Sequence, residues 1–422
     1  AAAAAADADA DAGPLKRLMA GVRRHARSLR EKLAARGSKK VVEVEEEKPQ
    51  LPKEDCLAPT SSSSSTNSSG GGGVVPIIDV GALVTPGASA EAKAETAASI
   101  GRACADIGFL VITNHGLDPE VVDAAWEATA AFFDQPIDAK MQAVTADEAE
   151  YPYGYSKLGG EDLAAGKAAE TGDASASSGD AAANASDAGA GGKLPKRGDL
   201  KEMYSLGPAE PLSGMPARRW PPVMPASFQP AWEAYYDAVG GLGAQLLSGF
   251  ALALGLEEDW FADKVTHHQC ALRALNYPDL AGEAPAPGQL RASAHTDYGA
   301  LTILRSGGPG LQVKKDVEGA QWHDVPFVPG AFVVNLGDLM RRWTNERWAS
   351  TLHRVVNPPA GSDWGRRQSM AFFYNLNADA VVEAIEGTGE PKYEPITAGE
   401  FLLKKHLASM KAMEEAQAQA QA

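Results

Sequence analysis

The chain has 422 residues, with 55 acidic and 39 basic side chains and a formal net charge of −16. This balance argues against a surface that binds nucleic acid or another polyanion. The length exceeds one typical domain, but low-complexity stretches account for much of the excess. The three cysteines, Cys56, Cys104 and Cys270, lack metal-binding spacing, and their odd number argues against a disulfide framework. We therefore expect a reducing compartment.

Residues 1–73 combine a poly-alanine start, a basic stretch over 16–40, an acidic run and a serine- and glycine-rich end. Such a segment buries too little apolar area to offset its ordering entropy, which predicts disorder. Three interpretations stay open for the basic stretch: a solvated arm, a remnant of an organelle transit peptide, or a contact with membrane or nucleic acid. We expect a cytoplasmic protein, with an organelle as the alternative if the segment is a transit remnant.

Residues 74–160 predict an N-terminal region of helices and a buried strand. One apolar stripe predicts a helix over 90–107, a short apolar run predicts a strand over 109–113, and a proline in the first turn begins a helix over 119–133. Residues 161–198 are rich in Ala, Gly, Ser and Asp, which predicts a disordered surface insertion. A lid over a pocket is the alternative, but the insertion has few apolar residues.

Residues 199–405 predict the main domain. A long helix over 231–256 carries three glycines, Gly240, Gly241 and Gly243, which suggest close packing against a sheet rather than a hinge. Short strands alternate with Pro/Gly turns over 271–377, as in a sandwich or barrel. Thr397 can cap a last helix over 398–416, and residues 406–422 form a C-terminal helix and tail. No run of 18 apolar residues is present, so no membrane span is expected. The fold class is mainly β with flanking helices (α+β).

A His-x-Asp step, His295 to Asp297, precedes an apolar, strand-like segment. Residues i and i+2 of an extended strand project to one face, so the imidazole and the carboxylate would point the same way. A second histidine would complete the 2-His-1-carboxylate set of non-haem Fe(II) oxygenases, which leaves open positions on iron. Alone, a His-x-Asp step is common and has little specificity.

His353 is the histidine predicted to complete this set. It lies in an alternating segment that stops at Pro358, as expected for a strand in the body of a β structure. The other histidines offer no comparable context: His25, His115, His267, His268, His323 and His406.

Arg367 and Ser369 open another buried-looking strand and share one of its faces. A guanidinium offers a planar fork to a carboxylate, and a neighbouring hydroxyl adds one more donor. Aromatic residues near these motifs, Tyr298, Phe372 and Tyr374, are candidates for pocket walls or equally for the core.

In combination these motifs resemble the isopenicillin N synthase-like branch of the Fe(II)/2-oxoglutarate-dependent dioxygenases. The similarity covers about 74–160 and 199–405, through residues 75–79, 108–116, 273–278, 330–339, 343–345, 350–355 and the His295, Asp297, His353 and Arg367-x-Ser369 positions. The resemblance implies a double-stranded β-helix, or jelly roll. It also implies Fe(II) on His295, Asp297 and His353, with 2-oxoglutarate and O2 as cosubstrates and ascorbate as a candidate addition.

The resemblance further implies that the far carboxylate of 2-oxoglutarate lies on Arg367 and Ser369, with Tyr277 as an additional contact. One departure is Leu275, where some relatives carry Asn. The implied reaction couples oxidative decarboxylation of 2-oxoglutarate to hydroxylation or another oxidation of a small organic molecule, which the sequence leaves unidentified. No nucleic acid or membrane partner is expected.

Three rival functions share parts of this sequence pattern. An oxidase of the same fold, of the isopenicillin N synthase or ethylene-forming type, would carry a similar Arg-x-Ser motif without using 2-oxoglutarate. A catalytically silent binding or sensor protein predicts the loss of a metal ligand, yet all three are present. A zinc hydrolase on the same ligands has no evident general base and gives Arg367 no role.

Overall fold

In the computed structural model of the chain, the described residues are 73–143, 153–163, 198–210, 218, 220–280 and 283–421. The predictions for residues 1–73 and for the 161–198 insertion lie outside these ranges, apart from Gly73, 161–163 and Gly198. Cys56 also lies outside them. The described part contains the predicted N-terminal region and most of the predicted main domain.

Within these ranges the chain forms seven α-helices and fourteen strands. The helices are α1 (Gly81–Val84), α2 (Ala90–Asp106), α3 (Pro119–Phe133), α4 (Ile137–Met141), α5 (Phe228–Leu254), α6 (Asp338–Trp343) and α7 (Ala398–Gln421). The strands are β1 (Ile77–Asp79), β2 (Phe109–Thr113), β3 (Gly154–Ser156), β4 (Glu202–Leu206), β5 (Ala271–Tyr277), β6 (Ala292–His295), β7 (Leu301–Ser306), β8 (Leu311–Lys314), β9 (His323–Asp324), β10 (Phe332–Leu336), β11 (Leu352–Val355), β12 (Arg367–Tyr374), β13 (Val381–Val382) and β14 (Ile396–Thr397).

Two sheets face each other. The large sheet has the order β1-β2-β10-β7-β12-β5-β4-β3, and the small sheet has the order β6-β11-β8-β9. All pairings in them are antiparallel except the parallel pair β1–β2. Apolar side chains from both sheets, among them Val313 and Val355 of the small sheet and Leu275 and Val333 of the large one, form one cluster between them. This arrangement is the predicted jelly roll with flanking helices.

Helices α2, α3 and α5 cover the outer face of the large sheet. Helix α5 carries a buried stripe that includes Trp232, Tyr236 and Leu246, and it belongs to the larger apolar cluster of the protein. A Cβ added at Gly243 would lie 2.2 Å from Tyr374 of β12, so only glycine allows this approach. The predicted close packing of the glycine-bearing helix is therefore confirmed. The helix ends before Gly255, whose φ of 77° is a left-handed conformation that favours glycine.

Local predictions along the chain are largely confirmed. Strand β2 and helix α3 have the predicted bounds, and α2 ends one residue earlier than predicted. The Thr397 hydroxyl accepts the Glu400 backbone N–H at 3.2 Å, as expected of an N-cap, although α7 continues to residue 421. Cys104 and Cys270 are free, as expected from the cysteine count, and both are buried. His323 lies in the short strand β9.

Helix α5 is also the one helix of the described part that is long and apolar enough to span a membrane by length and composition. Half of its most apolar window is buried inside the protein. A core helix that packs against a sheet has the same composition, so this feature is explained by the packing of α5 on β12.

Candidate metal centre and cosubstrate pocket

The three predicted metal ligands converge. His295 at the end of β6 and His353 in β11 are direct partners across an antiparallel ladder, and their ring centroids are 4.2 Å apart. The Nε2 atoms of His295 and His353 lie 3.9 Å and 3.7 Å from Oδ1 of Asp297. One nitrogen or oxygen atom from each residue falls within 4.8 Å of the others. A single metal ion could therefore contact all three.

Asp297 reaches this point from a segment between the sheets. The chain leaves the small sheet after His295 and enters the large sheet at β7. The prediction that His295 and Asp297 lie on one continuous strand is therefore wrong. The crossing is tight, because a Cβ at Gly299 would lie 2.3 Å from Oδ1 of Asn375. The Asp338 backbone N–H donates to the Asp297 carbonyl at 2.8 Å and holds the segment in place.

Hydrogen bonds aim each ligand at the common centre. Nδ1 of His295 donates to the Ser293 carbonyl at 2.8 Å, and Nδ1 of His353 donates to the Thr351 carbonyl at 3.1 Å. Because a carbonyl oxygen only accepts, each Nδ1 carries a proton, and the lone pair of a neutral ring is then on Nε2.

The carboxylate of Asp297 is held in the same way. Its Oδ2 accepts from Thr302 Oγ1 at 2.5 Å and from Asn335 Nδ2 at 2.7 Å. These two bonds occupy one oxygen and leave Oδ1 facing the histidines. Such partners behind the ligands fix their orientation and raise metal affinity.

The protonation states also suit a metal. Burial, followed by the charge of His353, lowers the pKa of His295 to about 3, so its ring is neutral at neutral pH. Burial acts to raise the pKa of Asp297, but the two imidazoles and the bonds from Asn335 and Thr302 outweigh it and lower the pKa. Neutral imidazoles and an ionised carboxylate are the forms that bind a divalent ion. The donor set fits Fe(II).

Arg367 and Ser369 lie together on the inner face of β12, as predicted. The Arg367 side chain is buried, with Nη1 3.4 Å from Ser369 Oγ and Nη2 2.7 Å from Ser306 Oγ. Its Nε donates to the Gly308 carbonyl at 3.2 Å. The described hydrogen-bond partners of this buried cation are therefore all uncharged, which leaves its charge for a ligand.

Tyr277 completes this group. It is the direct partner of Arg367 in the β5–β12 ladder, and the guanidinium carbon of Arg367 lies 4.9 Å from its ring centroid. Burial lowers the pKa of Arg367, and Tyr277 partly offsets that shift. All three residues named from the sequence for the cosubstrate are thus neighbours on the inner surface of the large sheet.

Two aromatic candidates for the pocket wall belong to the core instead. Phe372 packs edge-on to Tyr236 of α5 with centroids 5.0 Å apart, and Tyr374 packs against Gly243. Side chains alternate between the two faces of β12. Phe372 and Tyr374 therefore project to the face that packs against the helices, opposite Arg367. Phe373 has the parity of Arg367 and joins the cluster between the sheets. Phe373 was not among the residues predicted for the pocket, although alternation along the strand places it on the same face as Arg367.

A group of four charged residues, which we call the polar wall, was also overlooked: Glu161, Asp199, Lys201 and Arg273. Lys201 Nζ lies 2.8 Å from Glu161 and 3.0 Å from Asp199, and Arg273 Nη1 lies 3.2 Å from Glu161. The side chains of Glu161 and Arg273 are each 12 % exposed, so both border solvent-accessible space. Burial acts to raise the pKa of Glu161, but Lys201 and Arg273 lower it to about 2.

The polar wall connects to the metal ligands. Asp199 Oδ1 accepts hydrogen bonds from the hydroxyl of Ser293 at 2.6 Å and from the backbone N–H of Ser293 at 3.0 Å. The carbonyl of Ser293 in turn accepts from Nδ1 of His295. Arg273 also lies 5.5 Å from the ring centroid of Phe373. The Asp199 backbone N–H donates to the Glu161 carbonyl at 2.9 Å, so the two ends of the predicted insertion meet here. No signal in the low-complexity composition could have revealed this contact.

Comparison with known protein families gives two matches. Residues 75–227 match the family described as the N-terminal region of non-haem dioxygenases in morphine synthesis. Residues 269–376 match the 2OG-Fe(II) oxygenase superfamily. The second match contains every residue predicted here to bind metal or cosubstrate.

Individual relatives agree with these families. The 2-oxoglutarate-Fe(II) type oxidoreductase hxnY of Emericella nidulans is 31% identical over 329 residues, which cover 76% of this chain and 86% of the relative. The crystal structure of a full-length Neurospora crassa protein in complex with alpha-KG has a TM-score of 0.66 at 29% identity and covers 79% of this chain and 96% of that chain. The complex of the same Neurospora crassa protein with alpha-KG and thymine has a TM-score of 0.64 at 28% identity. This match covers 79% of the present chain and 97% of the Neurospora crassa chain.

Proposed function

The chain belongs to the 2OG-Fe(II) oxygenase superfamily, and from this premise we propose that His295, Asp297 and His353 hold Fe(II) while Arg367, Ser369 and Tyr277 hold 2-oxoglutarate. The protein is a non-haem Fe(II) dioxygenase that couples oxidative decarboxylation of 2-oxoglutarate to oxidation of a small organic molecule.

One observation carries the residue assignment: the three converging ligands and the buried Arg367 lie inside the same β structure. The ligands come from the small sheet and from the crossing between the sheets, and Arg367 comes from the inner face of the large sheet. A 2-oxo acid with a second carboxylate has one chelating end and one anionic end, which matches a metal at one position and a guanidinium at another.

Bound Fe(II) supplies the redox chemistry that converts 2-oxoglutarate and O2 to succinate and CO2 and oxidises a C–H bond of the substrate. The residues of the chain bind and orient. Ser293, Thr351, Thr302 and Asn335 hold the ligands in position. Arg367 stays protonated throughout, because a guanidinium has too high a pKa for proton transfer near neutral pH.

We further infer that the substrate is small and polar. The polar wall places two partly exposed charged groups, Glu161 and Arg273, beside Phe373 and within electrostatic range of His295. An apolar substrate would remove water from these charges without replacing its hydrogen bonds, which is unfavourable. Among the structural neighbours, the Neurospora crassa protein was crystallised with thymine, a compact ring with donors and acceptors.

A turnover assay tests this function. The Fe(II)-loaded protein would be supplied with 2-oxoglutarate, O2 and a panel of small polar compounds that begins with thymine, beside a panel of apolar compounds of similar size. We expect a polar compound to raise succinate formation above the substrate-free rate, with one succinate per O2 in the coupled reaction. Oxygen uptake without any succinate would instead identify an oxidase of the same fold.

A further inference from the structure

Arg291 carries a second buried guanidinium, at the end of the strand pair that contains Arg367. It lies immediately before β6, and only 1 % of its surface is exposed. Its Nη2 donates to the carbonyl oxygens of Pro278 at 3.3 Å and Gly365 at 2.6 Å. Pro278 follows Tyr277 directly, and Gly365 stands two residues before Arg367. Arg291 therefore lies against the end of the strand pair that Tyr277 and Arg367 form.

The donors of Arg291 are only partly used within the protein. Both hydrogen bonds leave from Nη2, while Nε is buried and has no hydrogen-bond partner among the described residues. Buried polar groups in native proteins are nearly always hydrogen-bonded, so a buried donor without a partner calls for a physical explanation. A ligand that accepts hydrogen bonds in this region would provide one.

Charge gives a second, independent reason. Burial and the charge of Arg367 both lower the pKa of Arg291, so the two cations lie close enough to repel each other. The hydrogen-bond partners described for both are uncharged carbonyls and hydroxyls. Asp279 is the described carboxylate whose charge acts to raise the pKa of Arg291, and this residue is exposed to solvent. An anion between two buried cations would be strongly favoured.

We propose that Arg291 is a second cationic residue for the distal carboxylate of 2-oxoglutarate and acts together with Arg367. This inference rests on the proposed function, because it assigns a further residue to the same pocket. A carboxylate accepts several hydrogen bonds, and its charge offsets the repulsion between the two guanidinium groups. The pocket would therefore select 2-oxo acids with a second carboxylate over those without one.

The competing role for Arg291 is purely structural. By joining the Pro278 and Gly365 carbonyls, it could fix the ends of β5 and β12 without contacting a ligand. The two roles differ in one measurable property. A structural defect weakens every ligand of the pocket alike, whereas a lost carboxylate contact weakens only ligands that carry the distal carboxylate.

Calorimetric titration of the protein loaded with Mn(II), without O2, separates these roles. The ligands are 2-oxoglutarate and 2-oxobutanoate, which share the chelating end but differ in the distal carboxylate. The variants are Arg291→Gln and Arg291→Lys, with Arg342→Gln as a matched control. Arg342 also donates from Nη2 to a backbone carbonyl, that of Glu394, and has a buried Nε without a described partner.

For Arg291→Gln we expect the Kd for 2-oxoglutarate to rise about tenfold or more, as for loss of a charge-assisted hydrogen bond. The Kd for 2-oxobutanoate should stay within about twofold of the wild-type value. Arg291→Lys keeps the positive charge but loses the planar pair of N–H donors. Its Kd for 2-oxoglutarate should therefore lie between the values of the wild type and of Arg291→Gln. Arg342→Gln should change neither Kd. If Arg291→Gln does not fold, the ratio of the two Kd values in Arg291→Lys decides the question.

Equal weakening of both ligands, or no change in either, would overturn the inference. Its failure can be told from failure of the proposed function. If wild-type protein shows no preference for 2-oxoglutarate over 2-oxobutanoate, or if Arg367→Gln keeps that preference, then the cosubstrate assignment itself is wrong. If Arg367→Gln loses the preference and Arg291→Gln keeps it, only the role of Arg291 is wrong.

Discussion

His295 and His353 face each other directly across the β6–β11 ladder, although they are far apart in the sequence. This pairing brings their ring centroids to 4.2 Å and points both Nε2 atoms toward Asp297. Two neighbouring strands of the small sheet thus supply both imidazoles, and the crossing to the large sheet supplies the carboxylate.

Removal of a metal ligand should abolish metal binding and turnover together. Asp297→Ala and His353→Ala each leave two ligands of three, and we expect Fe(II) affinity to fall by more than the roughly 10- to 100-fold typical of outer-shell changes. Competition with a chelator without O2 measures this affinity. His267→Ala, a change at an exposed histidine, is the control. Unchanged iron binding in both ligand variants would mean that the centre lies elsewhere.

Asn335 should support the metal without contacting it. Its amide donates to Asp297 Oδ2 at 2.7 Å, so Asn335→Ala frees the carboxylate to rotate. We expect metal affinity to fall by about 10- to 100-fold. Asn114→Ala serves as the control, because Asn114 donates to Asp79, which is not one of the metal ligands. Equal metal affinities in the two variants would show that Asp297 is held without this bond.

Loss of the Arg367 guanidinium should separate cosubstrate binding from metal binding. Arg367→Gln removes the buried cation, and we expect the KM for 2-oxoglutarate to rise about 10- to 100-fold, as for loss of a charge-assisted hydrogen bond. Fe(II) affinity should remain at the wild-type value, because none of the metal ligands is a described hydrogen-bond partner of Arg367. A loss of iron together with 2-oxoglutarate would point to a general structural defect.

Two glycines of α5 should respond oppositely to the same substitution. A Cβ at Gly243 meets the Tyr374 ring at 2.2 Å, so Gly243→Ala should destabilise the protein by about 1–3 kcal/mol through overpacking. Gly241 has no neighbour within 4 Å of its built Cβ, so Gly241→Ala should stabilise by about 0.5–1 kcal/mol through helix propensity. Urea unfolding measures both. The same sign of change in both would contradict the described packing of α5 on β12.

His406 should make the protein sensitive to mild acid. Burial, followed by the charge of Arg273, lowers its pKa from 6.5 to about 4, so the folded state binds fewer protons than the unfolded state between these values. Stability therefore falls as pH drops from 6.5 toward 4. In His406→Gln, melting temperatures over this range should decline less steeply than in wild type. Parallel curves would show that His406 does not contribute.

Residue types and short spacings were sufficient to predict the chemistry of the site. His295, Asp297, Arg367 and Ser369 are i, i+2 pairs, and their ligand chemistry follows from the side chains themselves. The helix α3 and the strand β2 were likewise predictable, because a 3.6-residue period and a short apolar run are local properties of the chain. The family resemblance added the jelly roll and Tyr277, which no local pattern could have supplied.

Contacts between distant segments had to come from the folded chain. The polar wall joins both ends of a low-complexity segment to β5. Arg291 reaches the carbonyls of Pro278 and Gly365 only because the start of β6 packs against the ends of β5 and β12. Local patterns determine which face of a strand a residue occupies. They carry no information about which other strand that face meets, because such pairing depends on the free energy of the whole packed core.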